Sequence, residues 1–369
     1  MRTGKKIEEK GKATIGKRIA EKRKAAKLTQ TALADAVDVT TAFISQIESD
    51  HRKPSYGILV KLAHALGINV ESFFGDTDLK TTDPVAKIVL QTVPLLEEEK
   101  KKKLLEQIFR ISGTKFFSEF PFLTSAVEYA QFIIREFKVN VPVDVYRICS
   151  NLGVDILYAE LDGKDGLLYK NSEAPLIVLS TKLRYKERER FTIAIFLGHL
   201  IIPWHVKQVF SRGTNQRSLE TEDQFDIEAR EFAGELLLPG EMVRKDLARV
   251  VPSIEVFERL AKERYQCAMT ALAHKFSEYY GSKAVYVTSK GGEITRKYDI
   301  GFKYSLRTNI SEGSVAHSFI MNPPTTKETR TAVVQAKIWF EDAPPKLEVV
   351  EESMLDPDFG VTVSLIRLK

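Results

Sequence analysis

The chain holds 369 residues, 43% hydrophobic and 28% charged with 20 Gly and 14 Pro. This composition fits two or three globular domains and excludes fibrous or disordered classes. Its net charge of +5 lies wholly at the front: residues 1–80 carry 15 Lys/Arg against 10 Asp/Glu, and residues 81–369 carry 40 of each, a basic concentration suited to meeting phosphate.

From Thr14 to Gly75 the spacing predicts short helices separated by tight turns. Ile15, Ile19 and Leu28 give a first helix an apolar side on an otherwise Lys/Arg-rich surface. Thr29 is a good N-cap for a second helix over 30–36 that carries Leu33 and Ala34. Val37-Asp38-Val39 reads as a turn, and Thr40 caps a third helix over 41–48 that buries Ile44 and Ile47. Pro54 and Ser55 open a fourth with Leu59, Leu62 and Leu66, which Gly67 ends; Val70 and Phe73-Phe74 close the small core.

The run LTQTALADAVDVTTAFISQIESDHRKPSYGILVKLAHALGI resembles the helix-turn-helix of the Cro/λ-repressor (XRE) family over about 60 residues. Thr29-Gln30, Leu33-Ala34, Ser45, Ile47-Glu48, Pro54 and Leu62-Ala63 carry the likeness. The resemblance implies double-stranded DNA as partner, with the third helix in the major groove. If Ile44 and Ile47 point inward, Thr40, Thr41, Ala42, Ser45 and Gln46 face the bases. Gln pairs bidentately with adenine, and Ala or a Thr methyl touches the thymine methyl. Gln30 is placed for a phosphate at a helix N-terminus, and Arg18, Arg23, Arg52 and Lys53 are the candidate backbone contacts. Glu48, which DNA would repel, is assigned to structure. Such heads bind pseudo-palindromic operators as symmetric pairs, so a homodimer or higher homo-oligomer is expected.

Asp76 to Pro84 reads as a polar linker and residues 85–112 as a long helix, Glu97-Glu98-Glu99 pairing with Lys100 to Lys103 at four-residue spacing. A further helix spans about 123–137. The longest apolar stretch, Phe191 to Trp204, has 14 residues interrupted by Thr192, His199 and Pro203. It is too short for a bilayer, so no membrane partner is expected. Two cysteines, Cys149 and Cys267, make no disulfide framework, and no signal-peptide pattern opens the chain; the cytoplasm is the expected location.

The segments PVDVYRICSNLGVDILYAEL, DGLLYKNSEAPLIVLS, RERFTIAIFLGHLIIPWH and DIEAREFAGELLLPGEMV are similar, in that order, to the ImmA/IrrE family of metallopeptidase-like proteins over roughly residues 125–280. That family's chemistry uses H-E-x-x-H: two imidazoles on one helical face hold zinc and the Glu is the general base. A third ligand comes from E-x-x-A-[ND] on a following helix. Here the R-F-T-x-A frame stands as Arg190-Phe191-Thr192-Ile193-Ala194, and Leu197-Gly198-His199 follows in register. Ile195 occupies the first His position and Phe196 that of the base; the third-ligand position falls on Asp226, and Arg230 replaces the Asn/Asp. Ile cannot coordinate a metal and Phe cannot move a proton. The expectation is a catalytically inactive pseudo-peptidase with no catalytic residue, metal or cofactor. Ile195, Phe196, His199 and Asp226 mark its degenerate metal site, and the former catalytic helix packs as core.

Residues 254–280 read as a helical pair, after which AVYVTS, KYDIGF, TAVVQAKIWF, KLEVVEES and VTVSLIRL are β-rich runs. Phe302, Trp339 and Phe340 line a small-molecule pocket or are plain core. The fold expected is multidomain α+β. An all-α helix-turn-helix domain takes 1–76, a helical linker 77–122, a zincin-like α+β domain with degenerate HExxH 123–280, and a β-rich α+β sensor or interaction module 281–369. The function expected is a sequence-specific transcriptional repressor whose rear domains dimerise and sense a small-molecule or protein effector. Two alternatives stand beside it: a zinc-dependent peptidase that cleaves a repressor, and an immunity or anti-defence adaptor acting by protein contact.

Overall fold

The computed structural model describes residues 14–52, 54, 56–68, 73, 85, 88–89, 92–213, 224–248 and 250–369. The chain divides into two compact units, residues 1–107 with 219–224 and residues 108–218 with 225–369. Among the described residues, no helix is long and apolar enough to cross a membrane.

In the first unit, α1 (Ile15–Ala25), α2 (Gln30–Val37), α3 (Thr41–Glu48) and α4 (Tyr56–Ala65) form where the sequence periodicity places helices. Thr14, Thr29 and Thr40 start the first three, their hydroxyls accepting the amides of Lys17, Ala32 and Phe43. Each supplies an acceptor to a helix N–H that has no partner within the helix. Asp38 ends α2 at φ +58°, a left-handed residue that lets the chain turn tightly into α3. Ile19, Leu33, Val37, Ile44, Ile47, Leu59, Leu62 and Phe73 are buried together. At Gly16, α1 meets the end of α3 so closely that a Cβ would lie 2.0 Å from the Ile47 carbonyl oxygen. Val70, Phe74, Lys53 and the linker over 76–84 lie outside the described residues.

The helix expected over 85–112 is interrupted. A 3-10 turn at Val93–Leu95, with Pro94 in it, precedes α5 (Glu98–Ser112). Its Glu–Lys pairs close at three-residue spacing, Lys101 to Glu98 at 2.7 Å and Lys100 to Glu97 at 3.4 Å.

The second unit begins with α6 (Ala126–Glu136), opened by a Ser125/Glu128 capping box, and α7 (Val145–Asn151), capped by Asp144. Strands β1 (Asp155–Ala159), β2 (Lys164–Tyr169), β3 (Leu176–Ser180) and β4 (Val209–Gly213) make a sheet of order β1-β3-β2-β4. Only the β1–β3 pair is parallel. Against it packs α8 (Lys186–Ile201), buried without interruption from Thr192 to Ile201. That burial all round is why α8 lacks the polar stripe of a surface helix. At Gly198, α8 approaches α9 (Gln224–Leu237) so nearly that a Cβ would sit 3.1 Å from the Ala229 Cα.

Beyond Leu237 the core changes partner. Helices α10 (Gly240–Leu247), α11 (Ile254–Arg259, continuing as a π turn to Tyr265) and α12 (Met269–Tyr280) follow. They bury Leu238, Val243, Phe257, Tyr265, Leu272 and Phe276 with Tyr286, Met354 and Leu365 of the last sheet. That sheet contains β5 (Ala284–Lys290), β6 (Glu293–Tyr298), β7 (Glu328–Gln335), β8 (Glu348–Asp356) and β9 (Val361–Leu368). Its order is β6-β5-β9-β8-β7, antiparallel throughout. The other face is covered by α13 (Val315–Met321) and by Leu306, Trp339 and Phe340. Of the pair of readings for the aromatics, Trp339 and Phe340 are core, at 1% and 0% exposed. Helices 240–280 thus share a core with residues 281–369, and a domain boundary at 280 would cut through it.

Candidate functional site

In the helix-turn-helix, α3 turns Ile44 and Ile47 into the core and leaves Ala42, Ser45 and Gln46 exposed, with Thr40 and Thr41 half-buried at its start. The Thr40 hydroxyl is the helix cap; the Thr41 hydroxyl lies 3.4 Å from that of Thr31. Arg52 is exposed and its guanidinium stacks 4.4 Å above the Phe43 ring. Arg18 donates to the Phe73 carbonyl at 3.2 Å.

Two expected phosphate contacts are placed otherwise. Arg23 is 9% exposed; its Nε and Nη2 donate to the two oxygens of Glu48 at 2.6 and 2.8 Å, and Nη1 to the Leu28 carbonyl at 2.8 Å. Gln30 Nε2 donates to Glu48 Oε2 at 2.8 Å. A bidentate partner at this depth holds the guanidinium inside the domain and away from a phosphate. Burial pushes the Glu48 carboxyl up, but the hydrogen bonds from Arg23 and Gln30 outweigh it and hold the group below its usual range. Glu48 is therefore structural.

Arg23→Ala leaves that carboxylate with Gln30 alone and no counter-charge, and is expected to cost the helix-turn-helix about 2–3 kcal/mol, the shallow side of a buried pair. Amide exchange over residues 14–52 of the whole protein measures it; unchanged protection there would refute the role. A depressed carboxyl contributes stability above its unfolded pKa and loses it as pH falls through the folded one. The same amides should therefore exchange faster as pH drops below 4.5, after correction for intrinsic rates.

In the second unit, Ile195 and Phe196 are 3% and 1% exposed within the main core. His199, near the end of α8, is buried beside His205, their Nδ1 atoms 3.1 Å apart. His199 Nε2 lies 3.4 Å from Asp226 Oδ1, and His205 Nε2 lies 3.0 Å from Glu228 Oε2, which also accepts from Trp204 Nε1 at 2.6 Å. Phe210 stacks on His199 at 4.0 Å, and the Phe225 ring lies 4.7 Å from His205. Burial lowers the pKa of His199, and burial with the neighbouring His199 brings His205 down to about 4. Two neutral rings bring two protons to these four nitrogens: one bridges the Nδ1 atoms, and the other serves the shorter carboxylate contact, from His205 Nε2 to Glu228.

Lys170 lies 1% exposed at the end of the same helix, its Nζ 3.1, 3.5 and 3.0 Å from the carbonyls of His199, Ile202 and His205. These include carbonyls that α8 leaves without an internal partner, so the ammonium caps the helix end. Burial draws its pKa down to about 7. Arg190, first residue of the R-F-T-x-A frame, is buried and ties α8 to the Val143 and Tyr265 carbonyls at 2.7 and 3.1 Å.

This donor set does not suit a catalytic zinc. Such an ion takes three protein ligands at about 2.0–2.2 Å and leaves a position for water. Among the described residues, no three His, Cys, Asp or Glu side chains converge to hold a metal. His199 and Asp226 do come together, whereas Ile195 and Phe196 bring apolar atoms. Sequence reasoning missed Lys170 and Glu228. The alternation Leu168 in, Tyr169 out placed Lys170 inward, the one available signal; nothing local marked Glu228.

Residues 19–73 match the family model described as helix-turn-helix, and residues 149–277 the IrrE N-terminal-like domain. The chain thus joins an XRE-type helix-turn-helix domain to an IrrE-like domain. Over 66 residues it is 39% identical to an immunity repressor protein of Bacillus phage phi105, a match covering 18% of this chain and 46% of that protein. The match therefore spans about half the relative's length. Among solved structures, the SinR/SinI protein complex shares 24% identity over 27% of this chain and 99% of that one, with a TM-score of 0.17. A Mycobacterium tuberculosis transcriptional regulator shares 13% identity over 76% and 80% of the two chains, with a TM-score of 0.38. The apo competence regulator ComR from Streptococcus vestibularis shares 12% over 71% and 70%, with a TM-score of 0.19.

Proposed function

We propose that this protein is a sequence-specific transcriptional repressor in the cytoplasm. Its head reads a pseudo-palindromic operator as a homodimer, and its IrrE-like and C-terminal parts associate and sense an effector without hydrolysing peptides. The observation that carries the reading is the face of α3, where Ala42, Ser45 and Gln46 stand exposed together on a helix fixed by its Thr40 cap and the Arg23–Glu48 pair. In a helix-turn-helix this is the surface that enters the major groove. The likeness of the head to a phage immunity repressor favours repression. The filling of the catalytic positions by Ile195 and Phe196 supports loss of hydrolysis.

Gel-shift and footprinting on DNA upstream of the protein's own gene test the reading. Wild type should protect a two-fold symmetric site. Gln46→Ala should weaken binding by about 1–3 kcal/mol and relax the preference at one base position. Ser45→Ala should weaken it less. Equal binding by wild type and both variants at physiological salt would sink the α3 assignment. Zinc-dependent cleavage of a peptide, lost on chelation, would sink the pseudo-peptidase.

A further inference from the structure

A cleft of about 420 Å³ opens at the start of α8, between the first residues of β2 and the last of β3. That end of α8 is about 15–20 Å along the helix axis from His199, at the usual rise per residue. Lys164, Lys182, Arg184 and Arg188 line it, against the single carboxylate of Asp165. Asp165 is 2% exposed and holds Arg188 at 2.7 Å, with Arg212 3.7 Å away. Two guanidinium groups thus share one buried carboxylate. Lys182 lies 3.7 Å from exposed Asp162. Lys164 and Arg184 are exposed and have no acidic partner among the described residues.

A second feature adjoins these cations. Tyr185 lines the cleft with 53% of its surface exposed, and its ring centroid lies 6.3 Å from that of Phe359, 58% exposed. Large aromatic side chains left open beside positive charge form a stacking platform next to groups that attract an anion. The cleft volume lies in the range of about 300–1,000 Å³ usual for small-molecule sites.

We infer that this cleft binds a mononucleotide, its phosphate held by Lys164 and Arg184 and its base stacked on Tyr185. The inference deepens the effector sensing proposed above and rests on that reading for its consequence alone. A surplus of cations in a recess favours a phosphate monoester, and a planar base accounts for the aromatic rim. Inorganic phosphate would have no use for that rim. A polynucleotide would favour an open groove over a recess.

Equilibrium dialysis of the full chain against labelled AMP and ATP, with inorganic phosphate as competitor, tests the site. One nucleotide per chain should bind saturably and more weakly as salt rises. A Lys164→Ala/Arg184→Ala double variant should bind about tenfold or more weakly while melting like wild type. Tyr185→Ala should lose about tenfold for AMP and nothing for phosphate. The site assignment is overturned by absence of saturable nucleotide binding up to about 1 mM, or by affinity unchanged in the double variant. Equal affinity for AMP and phosphate, or tighter displacement by oligothymidylate, would overturn the choice of ligand. AMP that binds here yet leaves the operator gel shift unaltered refutes its effector role alone. An intact gel shift in a protein that binds no nucleotide refutes the cleft and leaves the repressor reading standing.

Discussion

Phe196→Ala is expected to destabilise the second unit by about 3–5 kcal/mol, the usual cost of emptying an aromatic site in a core that cannot collapse. The ring is 1% exposed, and its edge rests where Gly166 leaves room; a Cβ on Gly166 would come 2.8 Å from Phe196 Cε2. Sheet and helix are fitted to one another through that contact, so neither can close over the gap. Phe196→Glu places a carboxylate at the same point, among apolar neighbours. It should be worse than the alanine variant, because an unpaired buried charge adds a desolvation cost to the lost packing. Urea denaturation followed by near-ultraviolet circular dichroism measures both. A loss below about 1 kcal/mol for alanine would show that the ring does not hold this core together.

Lys170→Met should cost about 2–4 kcal/mol, because three carbonyls around one donor are left to compete for whatever water can enter. Its dependence on pH reports the proton on the buried amine. The folded pKa, near 7, lies below the unfolded value of 10.5. Between these limits the unfolded chain holds the extra proton, so wild-type stability gained from this group rises with pH. The penalty of Lys170→Met should accordingly grow from pH 7 towards 10.5, by at most about 1.4 kcal/mol per unit. A penalty flat across that window would mean that the ammonium titrates normally and is better hydrated than its burial indicates.

The head was legible because its signals are local. Threonines precede apolar residues at helical spacing, and Asp38 supplies the left-handed residue between α2 and α3. The burial of Ile195 and Phe196 was legible as well, since the apolar run from Phe191 to Trp204 is broken only by Thr192, His199 and Pro203. Arg23 misled because charge counts do not reveal a partner; its carboxylate is 25 residues away and is met only once α1 and α3 cross. Lys170 offered only the strand alternation as a hint, because its acceptors are backbone carbonyls 29 to 35 residues further on, which carry no mark in the sequence. The boundary at 280 followed a change from helical to alternating patterns. Packing ignores that change, since α12 and β5 lie on the same core.

That shared core has a practical meaning for anyone dissecting the chain. Ending the polypeptide just after Tyr280 would strip Phe257, Leu272 and Phe276 of their lid and present water with a greasy slab. Cutting instead between Leu237 and Pro239 follows the seam between the two apolar clusters. Any segment that keeps the last sheet would have to carry the three helices α10, α11 and α12 along, and would still give up the contacts that cross the seam, Arg190 to the Tyr265 carbonyl and Lys275 to Glu235.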